Sequence, residues 1–188
     1  MCKEYPIDVV FLVDGSDSIV SNDFDVVKKW ILDVADAFEP SEISGGLQIN
    51  VVQYSDIAQI ELKKLITKSS DEIKDQVLSI EQMKSGTKTY TALKYVNTEV
   101  HPHLRAASYK ILITLTDGDA SDKGNQQTVQ EARVNFNKMM VVGISDRTDQ
   151  VELLDFTSTG NVYSISNFQR LESTVMQIVD NICSGMIS

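Results

Sequence analysis

Apolar residues along this chain fall into two alternating spacings, and the alternation predicts the fold. Ile7 to Val13 is an unbroken apolar run apart from Asp8, the pattern of a central parallel strand covered on both faces. Asp14-Gly15-Ser16 breaks it. From about Asp23 the spacing changes: Phe24, Val27, Ile31, Val34, Ala35 and Phe38 recur at steps of three and four, giving one apolar helix face. Ser21 or Asn22 can cap that helix, and Glu39-Pro40 ends it. Leu47 to Tyr54 reads as a second strand. Ala58, Ile60 and Leu62 then alternate with Gln59 and Glu61, as in a half-buried edge strand. The link at Ser55-Asp56 is so short that these two strands must form an antiparallel hairpin.

The rest of the chain repeats the theme. Helices are predicted over Ser70 to Ile80, Thr89 to Val100, Gln126 to Asn137, Asp149 to Phe156 and Phe168 to Ile182. Strands are predicted over Lys110 to Thr116, Met139 to Ile144 and Asn161 to Ile165. Strands alternating with helices imply an α/β, doubly wound, Rossmann-like fold: a mostly parallel six-stranded sheet, one antiparallel edge strand, and helices on both faces. At 188 residues, with no repeat or linker-like stretch, the chain is expected to be a single domain over residues 1–188. Trp30, Phe24 and Phe38 read as core aromatics of the first helix.

In such sheets ligands sit beyond the carboxyl ends of the central strands. Two strands end there in similar chemistry, Asp14-Gly15-Ser16-Asp17-Ser18 and Thr116-Asp117-Gly118-Asp119. Between them in sequence lies a hydroxyl-rich loop, Ser85-Gly86-Thr87-Lys88-Thr89. Asp14, Ser16, Ser18, Thr87 and Asp117 offer only oxygen, which suits Mg2+, Mn2+ or Ca2+. The hydroxyls are neutral, so a cation held by them keeps most of its charge and can accept a carboxylate from another molecule. The bland alternative is that the two aspartates cap helices and the serines satisfy loop amides.

The three segments together, Asp-x-Ser-x-Ser at 14–18, Gly-Thr-x-Thr around Thr87 and Thr-Asp-Gly at Asp117, resemble the metal-ion-dependent adhesion site of von Willebrand factor type A domains. The resemblance runs in the right order from Ile7 to Cys183. It implies that Ser16, Ser18 and Thr87 bind metal through their hydroxyls, and that Asp14 and Asp117 bind directly or through water. It also places Asp119, Tyr90 and Thr91 on the rim that meets the ligand. The cation it implies is Mg2+ first, Mn2+ or Ca2+ otherwise.

Collagen-binding integrin domains of this family carry an extra helix after the fifth strand. Here Gly143-Ile144-Ser145-Asp146-Arg147-Thr148 leaves no space for one. The resemblance is therefore to the matrix-type branch, and it implies an extracellular-matrix partner, with collagen favoured. A structural module that packs in a matrix assembly without using the metal is the alternative. In integrin domains the closing helix shifts when the metal site engages.

Cys2 and Cys183 lie just outside the regular elements at the two ends. Two free thiols are one reading. A bridge between them is the other, worth about 5 kcal/mol in the loop-entropy model, and it would imply an oxidising, extracellular or luminal compartment. It would also restrain the closing helix. Met1-Cys2-Lys3-Glu4 has no signal-peptide character, so a secreted origin makes the chain a fragment of a larger protein.

A net charge of −10 speaks against nucleic acid and against direct binding to an anionic membrane. Enzyme signatures are absent: no Gly-x-Ser-x-Gly elbow, no Walker or dinucleotide loop. His101 and His103 flank Pro102 and read as loop residues. The Asp117 to Asp122 run lacks the glycine and glutamate positions of an EF-hand.

Overall fold

The computed structural model describes residues 4–122, 124–144, 148–158 and 161–185. Its frame is a six-stranded sheet in the order β3-β2-β1-β4-β5-β6. The strands are β1 (Ile7–Asp14), β2 (Leu47–Tyr54), β3 (Ala58–Ile66), β4 (Tyr109–Thr116), β5 (Lys138–Ile144) and β6 (Val162–Ile165). Every pairing is parallel except β2 with β3.

Each β1 residue is buried, and alternate side chains serve opposite faces. Ile7, Val9, Phe11 and Val13 pack beneath α1 (Ser21–Ala37) and α6 (Val175–Ser184). Val10 and Leu12 pack against α3 (Thr89–Tyr95) and α4 (Gln126–Asn135). On the first face, Trp30 of α1 stands edge-on to Phe11 with ring centroids 5.6 Å apart, and its indole N–H donates to Thr174 Oγ1 at 3.0 Å. A buried indole needs such a partner, and this one ties the closing helix to the first.

Several boundaries depart from the sequence reading for local reasons. Neither Ser21 nor Asn22 caps α1. Val20 holds the N-cap position without a side-chain bond, and Asp23 supplies the negative charge in the first turn. The edge strand runs on to Ile66, and a bulge between Val51 and Val52 skips Glu61 in the pairing, so Val52 faces Ile60 and Val51 faces Leu62. The bulge turns Ile60 outward, 41% exposed, and the strict alternation expected there is lost.

The helix expected over Ser70 to Ile80 is a 3-10 turn (Ser70–Glu72) followed by a short α2 (Lys74–Leu78). The helix expected over Thr89 to Val100 changes after Tyr95 into a wider π turn (Val96–Val100). There the buried Asn97 side chain donates to Thr128 O at 2.9 Å and accepts from Asn135. Asn125 caps α4 and Asp149 caps α5 (Gln150–Leu153). The closing segment is 3-10 from Phe168 to Thr174 and α-helical only from Val175.

Asp8, the single polar interruption of β1, is fully buried. Arg105 answers it: its Nε and backbone N–H donate to the two Asp8 oxygens at 2.6 and 2.8 Å. The same guanidinium donates to Ile7 O, Gly45 O and Gly46 O. Gly45 and Gly46 both have positive φ, which lets that turn aim two carbonyls at one side chain.

Among the described residues no helix is long and apolar enough to cross a membrane. Cys2 lies outside the described residues, so the expected bridge rests on the sequence reading. Cys183 packs half-buried against the core near the end of α6.

Candidate metal centre

Strand order reverses between β1 and β4: the chain winds to β2 and β3 on one side, then to β5 and β6 on the other. A crevice opens at such a reversal, beyond the carboxyl ends of the two strands. The register pairs Val13 with Leu115, which sets Asp14 level with Thr116 and leaves Asp117 just past the strand end.

Asp14 is fully buried. One oxygen accepts from Ser16 N–H at 2.8 Å, an Asx turn that folds the chain back over the strand end. The other accepts from the Thr116 hydroxyl at 3.1 Å. Ser16 Oγ and Ser18 Oγ are 2.9 Å apart, and Ser18 Oγ donates to Asp117 Oδ1 at 2.7 Å. Four of the five sequence-predicted ligands, Asp14, Ser16, Ser18 and Asp117, therefore form one linked group of oxygens drawn from two strand ends.

Thr87 reaches the same edge through its backbone. Asp17 N–H donates to Ser85 O at 2.9 Å, Lys84 N–H to Gly15 O at 2.8 Å, and Ser121 N–H to Thr87 O at 2.7 Å. The threonine loop is thus bonded to both aspartate loops. The half-buried Thr87 hydroxyl has no hydrogen bond to any described residue. Lys84 and Ser85 hold positive φ, a conformation side chains resist. Asp56 supports it: its carboxylate accepts from Ser85 Oγ and from Gly86 N–H, and pairs with Lys88 at 3.2 Å. The Ser85 hydrogen bond, then the contact with Lys88, holds the Asp56 carboxyl below its usual range.

Burial pushes the Asp14 carboxyl up to about 6, and repulsion from Asp117 adds to it, while hydrogen bonds from Ser16 oppose it. A carboxylate so disfavoured gains from a neighbouring positive charge. Among the described residues no three His, Cys, Asp or Glu side chains converge on a metal position. The oxygens linked here are instead two carboxylates, Asp14 and Asp117, and the hydroxyls of Ser16 and Ser18, a donor chemistry that would suit a hard divalent cation.

Of the expected rim residues, Asp119 is exposed, and its Oδ1 accepts from Asp149 N–H at 2.6 Å. Thr91 is exposed, with its hydroxyl donating to Asp122 Oδ2 at 2.7 Å. Tyr90 lies beneath the surface: it is 6% exposed, its ring packs on Phe156, and its hydroxyl donates to Asp155 at 2.8 Å. A large aromatic at the start of α3 gains more from that pocket than from the rim.

The sequence reading missed the supporting residues. Thr116, part of the Thr-Asp-Gly segment but given no role of its own there, hydrogen-bonds Asp14 at 3.1 Å. Gln53, fully buried, accepts from Met83 N–H at 2.7 Å and donates to Glu81 O at 2.9 Å. A Cβ on Gly15 would overlap the Gln53 amide oxygen. Gly15→Ala is accordingly expected to cost about 1–3 kcal/mol, the usual range for overpacking, read as a lower urea midpoint. An unchanged midpoint would show that Gln53 moves aside freely.

Comparison with known proteins identifies the family of the fold. The model of the von Willebrand factor type A domain family matches residues 8–177. The mouse collagen alpha-6(VI) chain is 31% identical over 189 residues, covering 98% of this chain and 8% of that protein. Human matrilin-1 is 29% identical over 182 residues, covering 94% of this chain and 36% of that protein. The chain thus spans only a small part of the curated relatives it matches. Among solved structures, proximal thread matrix protein 1 of the mussel byssus superposes with a TM-score of 0.86 at 22% identity, covering 96% of this chain and 49% of that one. A structure of the same byssal protein with a zinc-occupied MIDAS motif gives a TM-score of 0.85, at 22% identity and 96% and 48% coverage.

Proposed function

Because the chain belongs to the von Willebrand factor type A domain family, we propose that it is an extracellular binding module that grips a matrix protein through a divalent cation held by Asp14, Ser16, Ser18, Thr87 and Asp117. The observation that carries this reading is the linked oxygen group at the sheet's reversal point, where Ser18 joins the β1 loop to Asp117 at 2.7 Å. When bound, the cation supplies an electrophilic position for a partner carboxylate. The protein's own part is arrangement. Asp14 offers buried negative charge, the Asx turn fixes Ser16, and Asp56 holds the loop that carries Thr87.

The hydroxyl-rich donor set favours Mg2+, with Mn2+ or Ca2+ as alternatives. Collagen is the favoured partner. The relatives that support a matrix protein are a collagen VI chain and matrilin-1. Asp119 and Thr91 are the exposed candidates for the ligand rim. Adhesion rather than catalysis fits relatives that are a collagen chain and a matrilin. A Cys2–Cys183 bridge belongs to the same reading, and it would restrain α6.

Binding to immobilised fibrillar collagens tests the proposal. Mg2+-dependent binding is expected, abolished by EDTA and reduced at least tenfold by Thr87→Ala in a variant with unchanged far-UV circular dichroism. Binding that survives EDTA would point instead to a module that packs without the metal.

A further inference from the structure

Gln82 has no place in the ligand set, yet its side chain is committed to it. Its Nε2 lies 2.9 Å from Ser16 O, 2.8 Å from Ile19 O and 3.5 Å from Gly15 O. Three carbonyls of the β1 loop converge on one amide nitrogen, which carries two protons. Gly15 O, the most distant, already accepts from Lys84 N–H at 2.8 Å. The two strong bonds therefore go to the carbonyls at the two ends of the Ser16–Ile19 turn. That turn carries both serine hydroxyls.

The other end of the same amide makes the commitment plain. Gln82 Oε1 is buried and has no hydrogen-bond partner among the described residues. Buried acceptors are nearly always satisfied. Turning the amide over would not help, because it would press an oxygen against the three carbonyls. The observed orientation leaves one acceptor unanswered so that the β1 turn is held.

Gln82 also sits between two supports. The residues on either side of it are bonded to the buried Gln53 side chain, through Glu81 O at 2.9 Å and Met83 N–H at 2.7 Å. Gln53 is fixed in turn by Glu61, whose Oε1 accepts from its Nε2 at 2.8 Å. The Gln82 backbone is thus anchored to β2 while its side chain reaches across to the β1 loop.

We infer that Gln82 is a positioning residue for the metal centre: its amide sets the Ser16–Ile19 turn and couples it to the segment that leads into Thr87. The inference rests on the proposed metal site. Groups that orient metal ligands from behind alter affinity by about 10–100-fold when removed. Gln82→Met keeps length and volume and removes the donor. Gln82→Glu keeps shape and sets a carboxylate against the carbonyls.

The test is calorimetric titration of Mg2+ into the wild-type protein and both variants, with amide hydrogen exchange on the metal-free forms. Affinity is expected to fall at least tenfold in Gln82→Met and further in Gln82→Glu. Exchange of the Asp17 and Ile19 amides is expected to quicken about tenfold in Gln82→Met, with the amides of α6 unchanged. A residue that merely supports the fold would quicken exchange everywhere and leave the affinity of the folded protein alone. Equal Mg2+ affinity in all three proteins would overturn the inference while leaving the metal site standing. If the wild-type protein binds no Mg2+, the metal reading fails. The exchange result then decides by itself whether Gln82 holds the turn, and unaltered exchange overturns that too.

Discussion

Replacing Arg105 by alanine is expected to destabilise the domain by about 3–5 kcal/mol, a large share of the roughly 5–15 kcal/mol that holds a domain folded. The cause is the partner left behind. Asp8 has no exposed surface and is the second residue of an otherwise apolar strand, with Val9 and Val10 following it into the two cores. Arg105 Nε donates to Asp8 Oδ1 at 2.6 Å, and Nη2 lies 2.6 Å from the same oxygen. Alanine would leave that carboxylate buried without its positive charge, keeping only the backbone N–H of residue 105, and would also remove the donors to Ile7 O, Gly45 O and Gly46 O. Urea denaturation at pH 7 reads the loss. The double variant Asp8→Leu with Arg105→Met should recover much of it, since replacing both charges removes the desolvation cost along with the attraction. A loss below about 1 kcal/mol for Arg105→Ala would show that the pair contributes no more than a surface ion pair.

Asp14→Asn is expected to reverse its effect on stability according to metal and pH. The Asp14 carboxyl goes from 3.8 to about 6 on folding. A group whose folded value is raised adds stability below its unfolded value, and that stability is lost as pH rises through the folded value. Metal-free wild-type protein therefore loses roughly 2–3 kcal/mol from this group between about pH 4 and pH 7. Asparagine does not titrate. It can still accept from Ser16 N–H, and its Nδ2 can donate to the Thr116 hydroxyl, whose proton is then released to Gly118 O, 2.8 Å away. Without metal the variant should gain on the wild type as pH rises from 4 to 7. With Mg2+ at about a hundred times its dissociation constant the wild type should gain about 2.7 kcal/mol, and the variant close to nothing. Thermal denaturation at pH 4 and 7, with Mg2+ and with EDTA, gives all the comparisons. Parallel behaviour of the two proteins in every condition would remove Asp14 from the metal centre.

The frame was legible because burial dictates pattern. β1 is buried on both faces and reads as a continuous apolar run, and α1 is buried on one face and reads as a stripe. The candidate site was legible where carboxylates and strand ends coincide, at Asp14 and Asp117. What escaped the sequence was contact at long range. Nothing near Asp8 in the chain names Arg105, 97 residues away. Gln82 and Asp56 act on loops brought beside them only by folding. Tyr90 was read as a rim residue from its place after Thr87, but one position along α3 is about 100° of rotation, enough to swing a ring from the edge into the pocket over Phe156. Helix ends were the other weak point, as at Val20 and Tyr95, because a change of a turn's pitch is decided by tertiary partners such as Asn97 with Thr128.

The measurement that bears most directly on the metal centre is calorimetric titration of Mg2+ into the folded, chelator-stripped domain at pH 7, beside an Asp117→Ala control. One saturable site in the wild-type protein and none in the control is the predicted outcome. No heat of binding in the wild type for Mg2+, Mn2+ or Ca2+, or the same affinity in the control, would contradict the assignment of these five oxygen donors to a cation.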